Sequence, residues 1–420
     1  MVHRASKRGE FLGCASYPKC TGVREATEEN CRQPIYLDGP GGTQVSQSVL
    51  HAMIRYLTMC NANHGGAFTT SRESDAILHQ AHVALADLLN APSPEELIFG
   101  PNMTTLTFQL SRAFGRKLKP GDEVLVTRLD HDANVSPWVM AARDAGATVT
   151  FVDIHPEDCT LDLDDLNRKL NARVRLVAVT CASNAVGTVN DVRRITRMVH
   201  DAGALVYLDA VHYAPHRLID VQEWDCDFLA CSVYKFFGPH VGVLWGRAEL
   251  LQSLPAYKVR PASEALPDRW MTGTQNHEGI AGASAAVNYL ASLGEQDRTQ
   301  RRQRLIAAFA SIQQYEQHLA DHLLDGLLAR PRFRVWGIVK REQRTWRVPT
   351  VSITAVDRTP EQMAQHLARQ EIYAWNGNMY ALELTERLGL EQHGGLLRLG
   401  LVHYNTLEEI DRLLQALDEL

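Results

Sequence analysis

From residue 34 to about residue 250 the chain alternates short apolar runs with amphipathic stretches, and that alternation leaves few folds open. The runs fall at 96–100, 123–128, 148–154, 174–180, 204–210, 228–233 and 241–245. Helical patterns at 103–118, 135–145, 162–170 and 191–201 lie between them, and Gly146 and Gly203 follow two of these, where helices often end. Continuously apolar strands joined by helices indicate a mainly parallel, seven-stranded sheet covered on both faces. Ligands bind such sheets outside the carboxyl ends of the strands, so the residues just after each run are where chemistry is to be sought.

Beyond residue 295 the pattern changes. A long charged helical stretch at 298–330 leads to strand-like runs at 333–339, 348–355, 372–375 and 396–402. Thr359-Pro360-Glu361-Gln362 reads as a capped helix start, and Thr406 with Glu409 as a capping box. The reading is therefore an N-terminal extension over 1–33, polar, irregular and loosely packed, a large α/β domain over 34–295, and a smaller α+β domain over 296–420. Several function classes are disfavoured. A net charge of −6 supplies no basic excess for nucleic-acid phosphates. No apolar run reaches the ~18–20 residues of a membrane span, and the first 20 residues hold no apolar stretch of secretory length. Eight cysteines are too sparse for a disulfide framework, and neither Cys14/Cys20 nor Cys226/Cys231 has a zinc-knuckle spacing, so a reducing cytoplasm is expected.

Of only eight lysines, Lys235 is the unusual one: it follows the apolar run FLACSVY and precedes FFGPHVG. A lysine desolvated at a strand end is a nucleophilic amine suited to forming an imine with an aldehyde, although a surface lysine covering apolar area reads the same way in isolation. Asp209 closes the run ALVYLDA. A carboxylate there needs a cationic partner, such as the protonated ring nitrogen of pyridoxal phosphate, or else serves as a helix N-cap. His212 is placed to contact the phenolic oxygen of such a ring, or is a turn histidine. His131, after EVLVTRLD, offers a flat imidazole for stacking on it. A metal site built from His131, Asp132, His212 and Asp209 is disfavoured, because no HxH or HExxH spacing sets ligands on one element. Asn184 stands at another strand end. Asn102, Met103 and Thr104, between a strand and a helix, provide backbone N–H groups and a hydroxyl for a phosphate, with Ser232 adding a second hydroxyl; GPN also makes an ordinary helix start. The convergence of these groups on five strand ends argues for a single site.

The ordered motifs YLDGPGGT, NANHGG, HDANVSPW, ASNAVGT, YLDAVH, SVYKFFGPHVG, TGTQN and LRLGLVHYNT resemble the class V aminotransferase family of fold-type I pyridoxal phosphate enzymes, in particular its cysteine desulfurase-like and selenocysteine lyase-like branch. The resemblance implies that Lys235 carries the cofactor, Asp209 pairs with its ring nitrogen and His131 stacks on its ring. It implies that Met103, Thr104 and Ser232 hold its phosphate, that Asn184, His212 and Tyr234 border it, and that Thr274 reaches the phosphate of a neighbouring subunit, so that a homodimer shares its sites. Arg398 then grips the substrate carboxylate, a task suited to a bidentate guanidinium, with His64 and Asn376 as further substrate contacts.

Departures from the branch bear on the chemistry. Tyr234 replaces the histidine that precedes the lysine, and His212 stands where glutamine is common. The loop that carries the sulfur-accepting cysteine reads here IYAWNGNMYALELTERLG, and no cysteine occurs from 232 to 420; Cys60, Cys181 and Cys31 lie outside it, and only Cys60 falls beside another landmark. The expected reaction starts from an external aldimine with an α-amino acid and uses Lys235 as general base. It is then a C–S or C–Se lyase that releases its leaving group without covalent capture, a sulfur-acceptor protein being unidentified. An aminotransferase or epimerase on the same scaffold is the close alternative. A catalytically silent cofactor-binding protein is the alternative of another class, against which the joint presence of Lys235, Asp209 and Arg398 argues.

Overall fold

The computed structural model describes residues 33–294 and 299–420, together with the backbone of three short antiparallel strands, Val2–Ser6, Gly9–Gly13 and Val23–Glu25. Those strands stand where an irregular extension was expected. Cys14, Cys20 and Cys31 lie outside the described residues.

All seven apolar runs form strands of one sheet: β1 (Leu97–Gly100), β2 (Glu123–Thr127), β3 (Thr148–Val152), β4 (Val174–Thr180), β5 (Leu205–Asp209), β6 (Phe228–Ser232) and β7 (Gly242–Gly246). Their spatial order is β1-β7-β6-β5-β4-β2-β3, and only β7 runs against the rest. Alternation along each strand divides the core between the two faces. Phe99, Val177, Val179, Val206 and Leu208 pack on one side, and Ile98, Leu176, Ala178 and Tyr207 on the other. Both faces are covered over the inner strands, which is why these read as unbroken apolar runs, while the edge strand β3 is half-exposed. The intervening helices form as their patterns predict, among them Met103–Gly115, capped by the Asn102 side chain on the Thr105 N–H, and Val192–Asp201, capped by Asp191 on that of Arg194.

The C-terminal part adds a four-stranded sheet of β8 (Phe333–Trp336), β9 (Thr350–Ala355), β10 (Trp375–Gly377) and β11 (Leu396–Gly400) in the order β8-β9-β11-β10, all pairs antiparallel. Helices Arg301–Leu328, Pro360–Arg369 and Leu407–Asp418 cover it, and the capping boxes at Thr359/Gln362 and Thr406/Glu409 both form. The run expected at 372–375 is divided. Ile372–Tyr373 pairs in parallel with Ile35–Tyr36, and only from Trp375 does the chain join β11. Ile35 and Leu37 are thereby packed in the core of the C-terminal layer, across the boundary drawn from sequence. The two layers meet edge to edge through Val348 N–H to the Gly187 carbonyl at 2.9 Å and Val189 N–H to that of Trp346 at 2.8 Å. Among the described residues no helix is long and apolar enough to cross a membrane.

Candidate active site

The carboxyl ends of β4, β5 and β6 share one edge, because Thr180 pairs with Asp209 and Asp209 with Ala230. Ser232 is the last residue of β6, and the 3-10 turn Val233–Lys235 swings Lys235 over that edge. A cavity of about 840 Å³ opens there, bordered by Met103, Thr104, His131, Asn184, Asp209, His212, Ser232, Tyr234, Lys235, Asn376 and Arg398. Asn102 borders it too, so twelve of the fourteen residues assigned from sequence to cofactor or substrate share one space. His64 and Thr274 do not: both are exposed and outside this cavity. His64 lies instead beside the His277 ring, at 6.0 Å between centroids, on a segment of chain ahead of the helix Thr69–Leu89.

The electrostatics follow from burial. Lys235 Nζ donates to the Pro40 carbonyl and forms no ion pair among the described residues. Desolvation brings its pKa down to about 7, the Arg398 charge pushes the same way, and Asp209 and Asp38 oppose. Asp209 is buried, and desolvation raises its carboxyl to about 6 against the Val211 N–H, which donates to Oδ1 at 2.8 Å, and the Lys235 charge. No other protein group bonds to that carboxylate among the described residues, so Oδ2 is open to a cationic partner. Desolvation lowers His131 to about 4, and its Nδ1 accepts from the Ala133 N–H at 3.0 Å, which fixes a neutral ring; that ring lies 5.4 Å from Tyr380 at an interplanar angle of 18°. Arg398, 5% exposed, is held down to about 10 by desolvation. Its Nη1 donates to the Asn184 carbonyl at 2.9 Å, and its Nε is buried without a partner. No carboxylate of the described residues forms an ion pair with it, and a buried guanidinium so placed favours an incoming anion. Asn184 Oδ1 and Asp38 Oδ1 are likewise buried and unpartnered.

The phosphate cradle predicted at the start of Met103–Gly115 is a close backbone approach. Met103 N–H donates to Ser232 Oγ at 3.0 Å, and a Cβ at Gly242 would lie 2.6 Å from the Asn102 carbonyl oxygen. Sequence reasoning missed Pro40, Gly41, His240 and Trp375, which also border the cavity. The first two fall within YLDGPGGT and His240 within KFFGPHVG, so proximity to these motifs was the available signal. Trp375 packs on Gly41, where a Cβ would meet its Nε1 at 2.7 Å. Its neighbours Met379 and Tyr380 both have φ of 57°, a left-handed conformation uncommon for residues with side chains.

The donor set fits pyridoxal phosphate: an amine with a depressed pKa, a half-satisfied buried carboxylate, a flat neutral imidazole and a helix N-terminus supplied with hydroxyls. The Aminotransferase class-V family model matches residues 35–413. The chain belongs to the class V aminotransferase family. It is a pyridoxal-phosphate-dependent enzyme with the fold-type I architecture and is cysteine desulfurase-like. An aminotransferase-like protein, FGM3, from Gibberella zeae is 33% identical over 400 residues, covering 92% of this chain and 94% of the relative. A cysteine desulfurase of Pectobacterium atrosepticum is 30% identical over 410 residues, covering 94% and 95%. The apo structure of a cysteine desulfurase from Thermococcus onnurineus NA1 superposes with a TM-score of 0.82 at 25% identity, covering 92% of this chain and 94% of the other.

Proposed function

We propose that this enzyme acts on an α-amino acid as a C–S or C–Se lyase that releases its leaving group directly. The observation that carries the reading is Arg398, a buried guanidinium that borders the cavity and has no carboxylate partner among the described residues, a group suited to the substrate α-carboxylate. Lys235, Asp209, His131 and the Met103–Thr104–Ser232 cradle would hold the cofactor, which supplies an electron sink for charge developing at the substrate α-carbon. Asp209 supports that sink by holding a proton on the ring nitrogen. With a cationic partner in place its carboxyl is ionised, reversing the effect of burial. Arg398 orients the substrate, and Lys235 Nζ, whose pKa of about 7 leaves a large neutral fraction at neutral pH, takes the α-proton.

Direct release is supported by the thiols. Among the described residues the free cysteines are Cys60, Cys159, Cys181, Cys226 and Cys231, all buried, and desolvation raises the pKa of each. None borders the cavity, and Asn376, Asn378, Met379 and Tyr380 form its loop wall. A buried, protonated thiol is a poor sulfur acceptor. These free thiols also fit a reducing cytoplasm.

A homodimer with shared sites completes the reading. On the helix Gln47–Met59 only Val49 and Tyr56 are buried, while Leu50, Ile54, Leu57 and Met59 are exposed on it with Phe68 nearby, an apolar face suited to a second copy of the chain. Thr274 and His64, exposed and outside their own cavity, are then available to the neighbour's. The purified protein is to be offered cysteine, selenocysteine and cysteine sulfinate, with sulfide, selenide, sulfite, alanine and pyruvate measured. Release of sulfide or selenide with pyruvate and ammonia, or of sulfite with alanine, supports the lyase reading. A keto acid formed with the amino group retained on the cofactor, or inversion at the α-carbon, replaces it with an aminotransferase or an epimerase.

A further inference from the structure

Behind the cavity wall lies a polar chain that the proposed reaction does not use. His212 borders the cavity and is buried, with Nε2 2.9 Å from Thr350 Oγ1. Its ring meets that of His216 edge to face, at 5.3 Å between centroids. His216 Nδ1 in turn lies 2.8 Å from Glu316 Oε2, the two side chains being 2% and 3% exposed. Glu316 projects from the middle of the 28-residue helix Arg301–Leu328, otherwise lined on that side by Ile312, Leu319, Leu323 and Leu327. Its Oε1 is buried without a partner, beside a cavity of about 10 Å³ bounded also by His216, Arg217 and Arg347, room for about one water.

A carboxylate taken this far from solvent is costly, and an apolar pair of similar volume often serves stability as well or better. The placement therefore calls for a reason other than packing, and His212 supplies one. Thr350 is fully buried, and among the described residues the only partner of its hydroxyl is His212 Nε2. That hydroxyl proton is satisfied only if Nε2 accepts, which puts the imidazole proton on Nδ1. Nδ1 has no protein partner among the described residues, so its N–H is left for whatever occupies the cavity.

We propose that His216 and Glu316 are positioning residues for His212, holding its ring edge-on in the orientation that keeps Nε2 on the Thr350 hydroxyl and so leaves Nδ1–H facing the cavity; this rests on reading the cavity as the cofactor site. The groups facing His212 all favour its neutral form. Desolvation dominates, and His216, Arg398 and Lys235 add to it. Glu316 is faced by His216, Arg217 and the His403 amide, and its own burial raises its pKa.

The test uses the full chain labelled with ¹⁵N-histidine, with and without added pyridoxal phosphate, His212 being assigned by loss of its signals in His212→Gln. The wild-type chain is expected to show one His212 tautomer, protonated at Nδ1. The double variant His216→Phe/Glu316→Leu removes the pair as a unit and is expected to keep its thermal midpoint. In it the His212 signals should become those of a tautomer mixture, and the pH midpoint of the cofactor's yellow band should move by about 1 unit. A stable double variant in which both are unchanged overturns the proposal. Should that variant not fold, Glu316→Met, which keeps the side chain's length and removes its bond to His216, is judged by the same two readings. If no variant takes up pyridoxal phosphate, the failure counts against the assigned cofactor site, and the His212 signals alone decide the present proposal.

Discussion

Replacing Arg398 by alanine tests two physical statements at once. The first concerns binding. With Nη1 on the Asn184 carbonyl and no ion pair among the described residues, the guanidinium keeps N–H donors for one incoming carboxylate. Two hydrogen bonds to a charged group at about 1.5–3 kcal/mol each give a loss of roughly 3–4 kcal/mol once water partly replaces them. At about 1.4 kcal/mol per tenfold, kcat/KM should fall by roughly 10²–10³. Arg398→Lys keeps the charge and loses the fork, so it should recover about one of those orders of magnitude. The second statement concerns protons. The Arg398 charge helps hold the Lys235 amine down at about 7. Removing a neighbouring positive charge relieves the ammonium form, so the pKa rises and the neutral amine appears only at higher pH. The rate of cofactor uptake by the cofactor-free chain needs that neutral amine. Its midpoint should lie near pH 7 in the wild-type chain, higher in Arg398→Ala, and nearer the wild-type value in Arg398→Lys. Steady-state kinetics and uptake rates measured from pH 5.5 to 9 separate the two effects. An unchanged kcat/KM together with an unmoved uptake midpoint would refute the assignment of Arg398 and the electrostatic argument alike.

Other expectations follow from the same geometry. Asp209→Asn leaves the cofactor's ring nitrogen without an anionic partner, and kcat should drop by about two to three orders of magnitude while the yellow band persists; full activity in that variant would remove Asp209 from the mechanism. Gly242→Ala drives a methyl group into the Asn102 carbonyl and displaces the start of the helix Met103–Gly115, so cofactor should dissociate faster, measured by the decay of the band on dilution, with the fold retained by circular dichroism. Ile54→Glu, in the middle of the exposed apolar face of Gln47–Met59, should shift sedimentation from dimer toward monomer; a wild-type chain that sediments as a monomer would contradict the shared-site arrangement.

What could be read from the residues divides along physical lines. Strands buried on both faces are continuous apolar runs, so the inner strands of the large sheet were visible, the half-exposed edge strand β3 showed as β-branched and aromatic residues, and Asp209 and Lys235 stood out as charges closing apolar runs. The reversed direction of β7 was not visible, because apolarity carries no sign of direction. Pairing of Ile35–Tyr36 with Ile372–Tyr373 was equally hidden: two-residue strands from distant parts of the chain leave no local period. The loop 376–380 could be located by position, yet its left-handed Met379 and Tyr380 have neither the glycine nor the asparagine that usually marks such a backbone. His216 and Glu316 lie 100 residues apart, and only packing of the helix Arg301–Leu328 against the segment that carries His216 brings them together.

The most direct test of the account is where the cofactor attaches. The purified chain, incubated with pyridoxal phosphate, reduced with borohydride and digested, is predicted to carry the cofactor's added mass on the peptide containing Lys235, and Lys235→Ala to show neither the yellow band nor that mass. Stable attachment at another lysine, or an undiminished band in Lys235→Ala, would contradict it.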